Sequence, residues 1–551
     1  METLTTDVLV LGGGGAAARA ALEAASHDLH VVIVSKGPFG RSCCTVMAEG
    51  GYNAVIRTKD PEDSFELHYR DTVEGGAYLN DRDLVETLVT EAPDRLVELE
   101  NMGAVFTRGK DGYPDQRPFG GQSKPRTCYA GDRTGHEIMT ALSHAVRSED
   151  NITVLENVMA LDLVEREGHV VGALCLDVIH EEPLAVSAKV TILATGGAGH
   201  VYPVTTNPVH KTGDGYAMAL RAGQRLIDME MVQFHPTGMV YPESARGILV
   251  TEAVRGEGGR LYNAEGERFM KRYDPERMEL STRDVVARAI YREIQEGRGT
   301  EHGGVYLDVS HLPDEVIETK LETTLKQFLR YGVDIRKEPM EVAPTAHHFM
   351  GGVPIDTRCR TDTPGLLACG EVTGGVHGAN RLGGNALADT QVFGKRAGET
   401  AAEIASKAAE PPRLRMKDVE ELWDRWTRTL DGEEDPLEVR DELHDVMWNE
   451  VGVERDGEGL RDALKRIREL RERIEGNGLS PTPDVRTAAE TVNMVTVAEA
   501  VAASALHRTE SRGAHYRKDH PETWEEPKHT VYHPDGTVDT IPVRRRRRRR
   551  T

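Results

Sequence analysis

The stretch Asp7-Val-Leu-Val-Leu-Gly12-Gly-Gly-Gly15-Ala-Ala17-Ala-Arg-Ala-Ala-Leu-Glu-Ala-Ala25 decides the fold class. The apolar run Asp7 to Leu11 ends in a glycine turn, an alanine-rich helix Ala16 to Ala25 follows, and a second strand runs from His30 to Val34. This is a βαβ beginning. Within it Gly12-x-Gly14-x-x-Ala17 stands between strand and helix. The first glycine makes the tight turn, and the second lets a pyrophosphate approach the backbone at the helix N-terminus. The acidic residue expected at the end of the second strand, where it would hold a ribose hydroxyl, is missing, because that strand ends Ser35-Lys36.

Two later segments repeat the pattern. Ala194-Thr195-Gly196-Gly197 follows the apolar run Val190 to Leu193, Gly213-Asp214-Gly215 opens another helix, and Gly370-Glu371 follows Leu366 to Cys369. Three strand ends so far apart in the chain imply one large nucleotide-binding domain with a long insertion, which suits FAD better than NAD because an extended FAD is gripped by several loops. From 413 the texture changes. Leu414, Val419, Leu422 and Trp426 lie among charges at helical spacing, and Leu460, Leu464, Ile467, Leu470 and Ile474 follow a three-four repeat. The spacing predicts a helical bundle to about 508. After Arg512 the chain is polar and reads as an extended arm, ending in seven arginines at 544 to 550; no internal repeat is found.

A chain of 551 residues is several times the usual domain length, so two or more domains are expected. No apolar run approaches the roughly 20 residues needed to cross a bilayer, which excludes an integral membrane role. The N-terminus lacks a basic region and a cleavage site, so the expected compartment is the cytoplasm. Net charge is -23 despite the seven terminal arginines, and so acidic a body argues against nucleic acid as the main partner. The cysteines at 43, 44, 128, 175, 359 and 369 form no C-x-x-C pair and no spacing suited to zinc or an iron-sulfur cluster. No metal centre is expected, and the thiols read as reduced and isolated.

Nine further segments point one way: Glu49-Gly50-Gly51, Arg117-Pro-Phe119-Gly-Gly-Gln-Ser123, Asp132-Arg-Thr-Gly-His136, His235-Pro-Thr-Gly238, Thr251-Glu252-Ala-Val-Arg255-Gly-Glu-Gly-Gly259, Arg283-Asp-Val-Val, Pro344-Thr-Ala-His347 with Met350-Gly-Gly352, His377-Gly-Ala-Asn-Arg381-Leu-Gly-Gly-Asn385, and Glu510-Ser-Arg-Gly-Ala-His515. In number and order they resemble the flavoprotein subunit of succinate dehydrogenases and fumarate reductases, archaeal fumarate reductases with non-covalent FAD among them. The resemblance implies an α/β fold: a discontinuous Rossmann-like FAD-binding domain with an inserted α+β capping domain, then a helical bundle and an extended C-terminal arm. The implied boundaries are 1–236 and 345–405 for the FAD-binding domain, 237–344 for the cap, 406–508 for the helical domain and 509–551 for the arm.

The resemblance also implies site residues. FAD contacts fall on Gly12, Gly14, Gly15, Ala17, Ser35, Lys36, Ser42, Thr45, Glu49, Gly50, Gly51, Ala194, Thr195, Gly196, Asp214, Glu371, Asn385 and Leu387. Fumarate or succinate falls among Phe119, His235, Thr251, His347 and Arg381. A four-carbon dicarboxylate needs two anion sites, and an arginine grips a carboxylate bidentately. The family's proton donor is an arginine on the cap, here Arg283, with Glu252 and Arg255 as its relay to solvent. Arginine is an unusual acid; it serves when it is already required as a cation and is reprotonated at once.

The chain departs from many relatives at Arg41-Ser42-Cys43-Cys44-Thr45-Val46, where a histidine that binds FAD covalently is absent. Non-covalent FAD is therefore expected, and with it a flavin that is a better donor, favouring fumarate reduction. Cys43 and Cys44 leave open a thioether to the flavin or thiol redox chemistry, against the plainer reading that they only line the site. Rival readings are a succinate dehydrogenase, an L-aspartate oxidase and a catalytically silent flavin-binding scaffold. The expected partner is an iron-sulfur subunit, with peripheral membrane association through the complex. The poly-Arg tail reads as a solvated run, with docking to an acidic partner or anionic lipid as the alternative.

Overall fold

A computed structural model describes residues 1–407 and 414–543 of the chain. The terminal arginine run, and whatever it docks to, lies outside the described residues. The first strand, Glu2–Leu11, sits mid-sheet with Val8, Leu9, Val10 and Leu11 fully buried. It pairs in parallel with Val31–Ser35 on one side and Glu182–Leu193 on the other, and Ile152–Glu156 and Leu366–Ala368 extend the parallel sheet outward. A meander, Val158–Arg166 then His169–Asp177, adds antiparallel strands to the N-terminal half of Glu182–Leu193. Strand order reverses at Glu2–Leu11, so the crevice beyond the carboxyl ends of that strand and of Glu182–Leu193 is the topological switch point where such sheets bind ligands.

The switch point is tight. Gly12 has φ +138°, and a Cβ there would stand 2.1 Å from the Ala194 carbonyl oxygen, so only glycine fits between the two strand ends. The helix Gly15–Ala25 lays seven buried alanines against the sheet and against Asn385–Lys407. Their close approach requires small residues on both sides: a Cβ on Gly398 would lie 2.5 Å from the Ala20 carbonyl oxygen.

A second, four-stranded antiparallel sheet joins Val232–Met239, Met340–Phe349, Val305–Asp308 and Arg260–Tyr262, with its own core of Val286, Ile290, Leu307, Phe328 and Val342. Val232–Met239 and Met340–Phe349 lead into and out of this unit, so both connections to the large sheet are paired strands. Asp132 braces the seam, its carboxylate accepting from the Thr323 and Thr324 amides (3.1 and 2.9 Å) at the start of helix Glu322–Leu329.

Four helices follow: Met416–Thr429, Pro436–Glu450, Gly457–Asn477 and Val485–His507. The three-four repeat forms one buried stripe on the third, whereas Leu414 and Leu422 are only partly covered. The C-terminal arm is no free extension. Lys528–Tyr532 and Val538–Pro542 form a hairpin whose first strand pairs with Leu226–Ile227. The arm was expected to be extended because its polar sequence carries no long apolar run; the structure anchors it by charge instead. Arg508, wholly buried, bonds Glu230 (2.5 Å), Glu510 (2.6 Å) and Asp228 (3.2 Å).

The helix pairing makes a prediction. Gly398→Leu should lower stability by about 1–3 kcal/mol through overpacking, read as a lower urea midpoint of the apoprotein. Glu399→Leu, on the exposed neighbouring position, should leave the midpoint within error; equal midpoints for both variants would show that the helices are not in register there.

Candidate active site

Two compartments meet at the switch point. The inner one is lined by Gly12, Gly14, Ser35, Lys36, Ser42, Cys43, Ala194, Thr195 and Asp214. The outer one is lined by Gly14, Gly15, Cys44, Thr45, Glu49, Gly50, Gly51, Gly196, Glu371 and Leu387, and runs on to Phe119, His235, Thr251, Glu252, Arg283, His347 and Arg381. Most of the expected catalytic, cofactor-binding and substrate-binding residues therefore face one continuous cleft. Three do not. Ala17 is buried in the helix core. Arg255 lies behind Glu252, its Nη2 3.9 Å from the carboxylate. Asn385 turns inward, where its Oδ1 accepts from Asn53 Nδ2 (2.7 Å) and pairs with His68 Nε2 (2.9 Å); its neighbours Gly384, Ala386 and Leu387 line the cleft instead.

The inner compartment fits a dinucleotide. The amide of Gly15 is held by Thr45 Oγ1 (3.0 Å) at the open start of the helix Gly15–Ala25. Lys36 is not a free phosphate ligand. It is clamped by Asp214 (2.7 Å) and by Glu490 (2.8 Å), which reaches in from the helical region. Asn493 steadies Asp214 from the same helix. The distant helix thus closes the place where the second strand offers no acidic residue.

At the far end the charge is positive. Arg283 Nε donates to Glu252 Oε2 at 2.6 Å and its Nη1 to Gln233 Oε1 at 3.2 Å; Arg381 Nη2 donates to the same Gln233 oxygen at 3.1 Å. Burial, and next the Arg283 charge, push the Arg381 guanidinium down to about 9, and its Nε has no partner. Burial alone would raise the Glu252 carboxyl, but Arg283 and Arg255 outweigh it and hold it below its ordinary value. Glu252 Oε1 also accepts from the Gly120 amide at 2.7 Å.

His235 and His347 face each other edge to face, centroids 5.0 Å apart. Burial first, then Arg283, push both well below the ordinary imidazole range, so both rings are neutral at pH 7. The Thr237 amide donates to His235 Nδ1 (3.1 Å), which leaves the proton on Nε2. Thr206 Oγ1 lies 2.6 Å from His347 Nδ1 and accepts from the Asn207 side-chain amide (3.4 Å); with the hydroxyl donating to Nδ1, the His347 proton sits on Nε2. Each histidine is a fixed neutral donor.

Thr206, Asn207 and Gln233 escape a sequence reading because they act through partners far along the chain. His348 lines the cleft beside Glu371 at 3.5 Å. Cys43 and Cys44 both line the cleft as free thiols, Cys44 pushed up to about 12, chiefly by burial.

Residues 7–387 match the family described as FAD binding domain, and residues 440–547 match fumarate reductase flavoprotein C-term. Fold and cleft thus define a FAD-dependent oxidoreductase. A fumarate reductase (CoM/CoB) subunit of Methanothermobacter marburgensis is 58% identical over 542 residues, spanning 96% of this chain and 97% of that one. L-aspartate oxidase 2-b of Nicotiana tabacum is 41% identical over 94% of this chain and 81% of its own length. Among solved structures, a point mutant of FrdA from E. coli quinol fumarate reductase superimposes with a TM-score of 0.91 at 36% identity, covering 98% of this chain and 97% of that one. The chain belongs to the flavoprotein-subunit family of fumarate reductases and succinate dehydrogenases.

The histidine geometry is testable by ¹⁵N-imidazole NMR. Both rings should appear as neutral Nε2–H tautomers from about pH 5.5 to 8, with no titration near the ordinary 6.5. Thr206→Val should move the His347 signals toward a tautomer mixture, and Thr206→Ser should restore them. A His347 spectrum indifferent to Thr206→Val would mean that the hydroxyl does not set the tautomer.

Proposed function

We propose that this chain interconverts fumarate and succinate, working in the direction of fumarate reduction, with FAD held non-covalently and with electrons exchanged through a separate iron-sulfur subunit. The observation that carries the reading is the pair Arg283 and Arg381, two buried guanidiniums sharing one amide oxygen beside two neutral Nε2–H histidines. A dianion is the ligand that relieves such a pair. With a carboxylate at each end, fumarate spans from Arg381 and His347 toward His235 and Thr251, with Phe119 on the floor.

FAD, when bound in the cleft, supplies the hydride. The protein's part is to bind, polarise and protonate. Donors on both carboxylates withdraw charge from the double bond and make one carbon electrophilic. Arg283 gives its proton to the other carbon. It is restored through Glu252, whose carboxylate lies between Arg283 and Arg255; Arg255 ends on the Glu279 carbonyl (2.9 Å), and the Glu279 carboxylate reaches the half-exposed Arg268 (2.6 Å).

The similarity to L-aspartate oxidases favours a second reading, L-aspartate as substrate. Its ammonium needs an ionised carboxylate that is not already engaged. Glu252 is neutralised by two arginines, and burial raises Glu49 well above the usual carboxylate range. This supports fumarate over L-aspartate, and the two are separated by whether fumarate restores the colour of the reduced flavin and L-aspartate bleaches the oxidised one. Without a covalent link the flavin is the better donor, hence the reductive direction. The reading puts the chain in the cytoplasm, meeting a membrane only through partners; among the described residues no helix is long and apolar enough to cross one.

Non-covalent binding makes a direct prediction. Acid precipitation should release all flavin into the supernatant, because the Cys44 thiol is held protonated and is no nucleophile. Flavin fluorescence left on the denatured band would point to Cys43 or Cys44 and overturn the claim.

The two arginines should separate in their effects. Arg283→Gln should cut fumarate reduction by about 10²- to 10⁴-fold or more, the loss of a positioned general acid, with a smaller effect on malonate binding. Arg381→Gln should chiefly weaken malonate binding. FAD content should be unchanged in both. Near wild-type turnover in Arg283→Gln would show that the proton comes from elsewhere.

A further inference from the structure

The two compartments of the cleft share three residues, Gly14, Ala194 and Lys211. Gly14 caps the helix Gly15–Ala25; the Gly15 amide is taken by Thr45 Oγ1, and Gly14, Gly15 and Ala16 line the cleft here. Lys211 faces it with a side chain that the mechanism above does not use. It is nine-tenths buried, and its backbone is pinned on both sides: its amide donates to the Pro208 carbonyl (3.1 Å) and its carbonyl accepts from the His200 amide (3.0 Å). Its Nζ makes one hydrogen bond, to the Thr195 carbonyl at 3.2 Å, and among the described residues no carboxylate pairs with it. Gly196 makes room for it, since a Cβ there would stand 1.7 Å from Nζ.

Glu371, which lines the outer compartment, feels the Lys211 charge without forming an ion pair with it, so the ammonium is only partly compensated and still faces the neck. With the flavin in the outer compartment and the adenosine in the inner one, the pyrophosphate must cross the neck. The other cationic side chains of the inner compartment do not serve. Lys36 is consumed by Asp214 and Glu490, the latter also paired with Arg440 (3.0 Å), so its charge is already spent. His210 is pushed down by burial and then by Lys36, and is neutral. A pyrophosphate brought there meets the helix N-terminus and Lys211.

We propose that Lys211 is the charge partner of the FAD pyrophosphate, the cation on which retention of the unlinked cofactor depends. The proposal rests on the non-covalent reading above, and denaturing gels show first whether that reading holds: if flavin stays on the polypeptide, that reading has failed and no titration is needed to say so.

The test is FAD titration of the apoprotein by flavin fluorescence quenching. Lys211→Met keeps the stem and removes the charge, and should weaken FAD binding about ten- to a hundredfold, the loss expected for a hydrogen bond to a charged group. Lys211→Arg keeps the charge and should stay within a few-fold of wild type. In wild type the Kd should rise with added KCl, and in Lys211→Met the rise should be shallower. FAD binding by Lys211→Met equal to wild type, or Lys211→Arg as weak as Lys211→Met, overturns the proposal. So does a wild-type Kd indifferent to salt, a measurement that needs no variant to fold.

Discussion

Two like charges forced together organise this protein. Arg283 and Arg381 come from segments almost a hundred residues apart, one on the small sheet's side of the cleft and one on the large sheet's, and both end on a single Gln233 oxygen. In a buried site their repulsion is not screened away. Burial pushes Arg381 and both histidines down and the Arg283 charge adds to it, while Arg283 and Arg255 keep Glu252 ionised against its burial. The field at the end of the cleft follows from that one juxtaposition, and an anion of matching length removes the strain.

The juxtaposition depends in turn on how the small sheet is mounted. Val232–Met239 and Met340–Phe349 are hydrogen-bonded neighbours that carry His235 and His347 on adjoining strands, so the histidines are placed by the connection itself. Arg283 starts the helix Arg283–Glu293 beyond them and bonds Gln233 and Glu252, the latter also held by the Gly120 amide.

Legibility in the sequence follows the range of the interaction. The opening βαβ unit was readable because Val8 to Leu11, the glycine turn and the alanine helix are contiguous and each obeys a local rule. The buried stripe on Gly457–Asn477 was readable because its period is helical. Motif residues such as Arg283 and His347 were named by resemblance, and folding brings them to one cleft. What stayed hidden depends on residues that meet only in space: Thr206 on His347, Glu490 on Lys36, Gln233 between the arginines. Asn385 shows the limit from the other side, since a polar residue in the right segment still chooses its direction by the partners, Asn53 and His68, that it finds inside.

The buried clasp of Arg508 has a consequence for how the molecule is made. Asp228 and Glu230, which immediately precede the strand carrying His235, receive their counter-charge from Arg508 and their sheet partners from the hairpin at 528–542. A nascent chain on the ribosome has synthesised every cofactor and substrate residue well before that clasp emerges. Until then two carboxylates at the base of the site lack their cation, a defect that costs about 3–5 kcal/mol when such a pair is broken. Arg508 therefore completes the base of the site from a segment translated well after the residues that line the cleft.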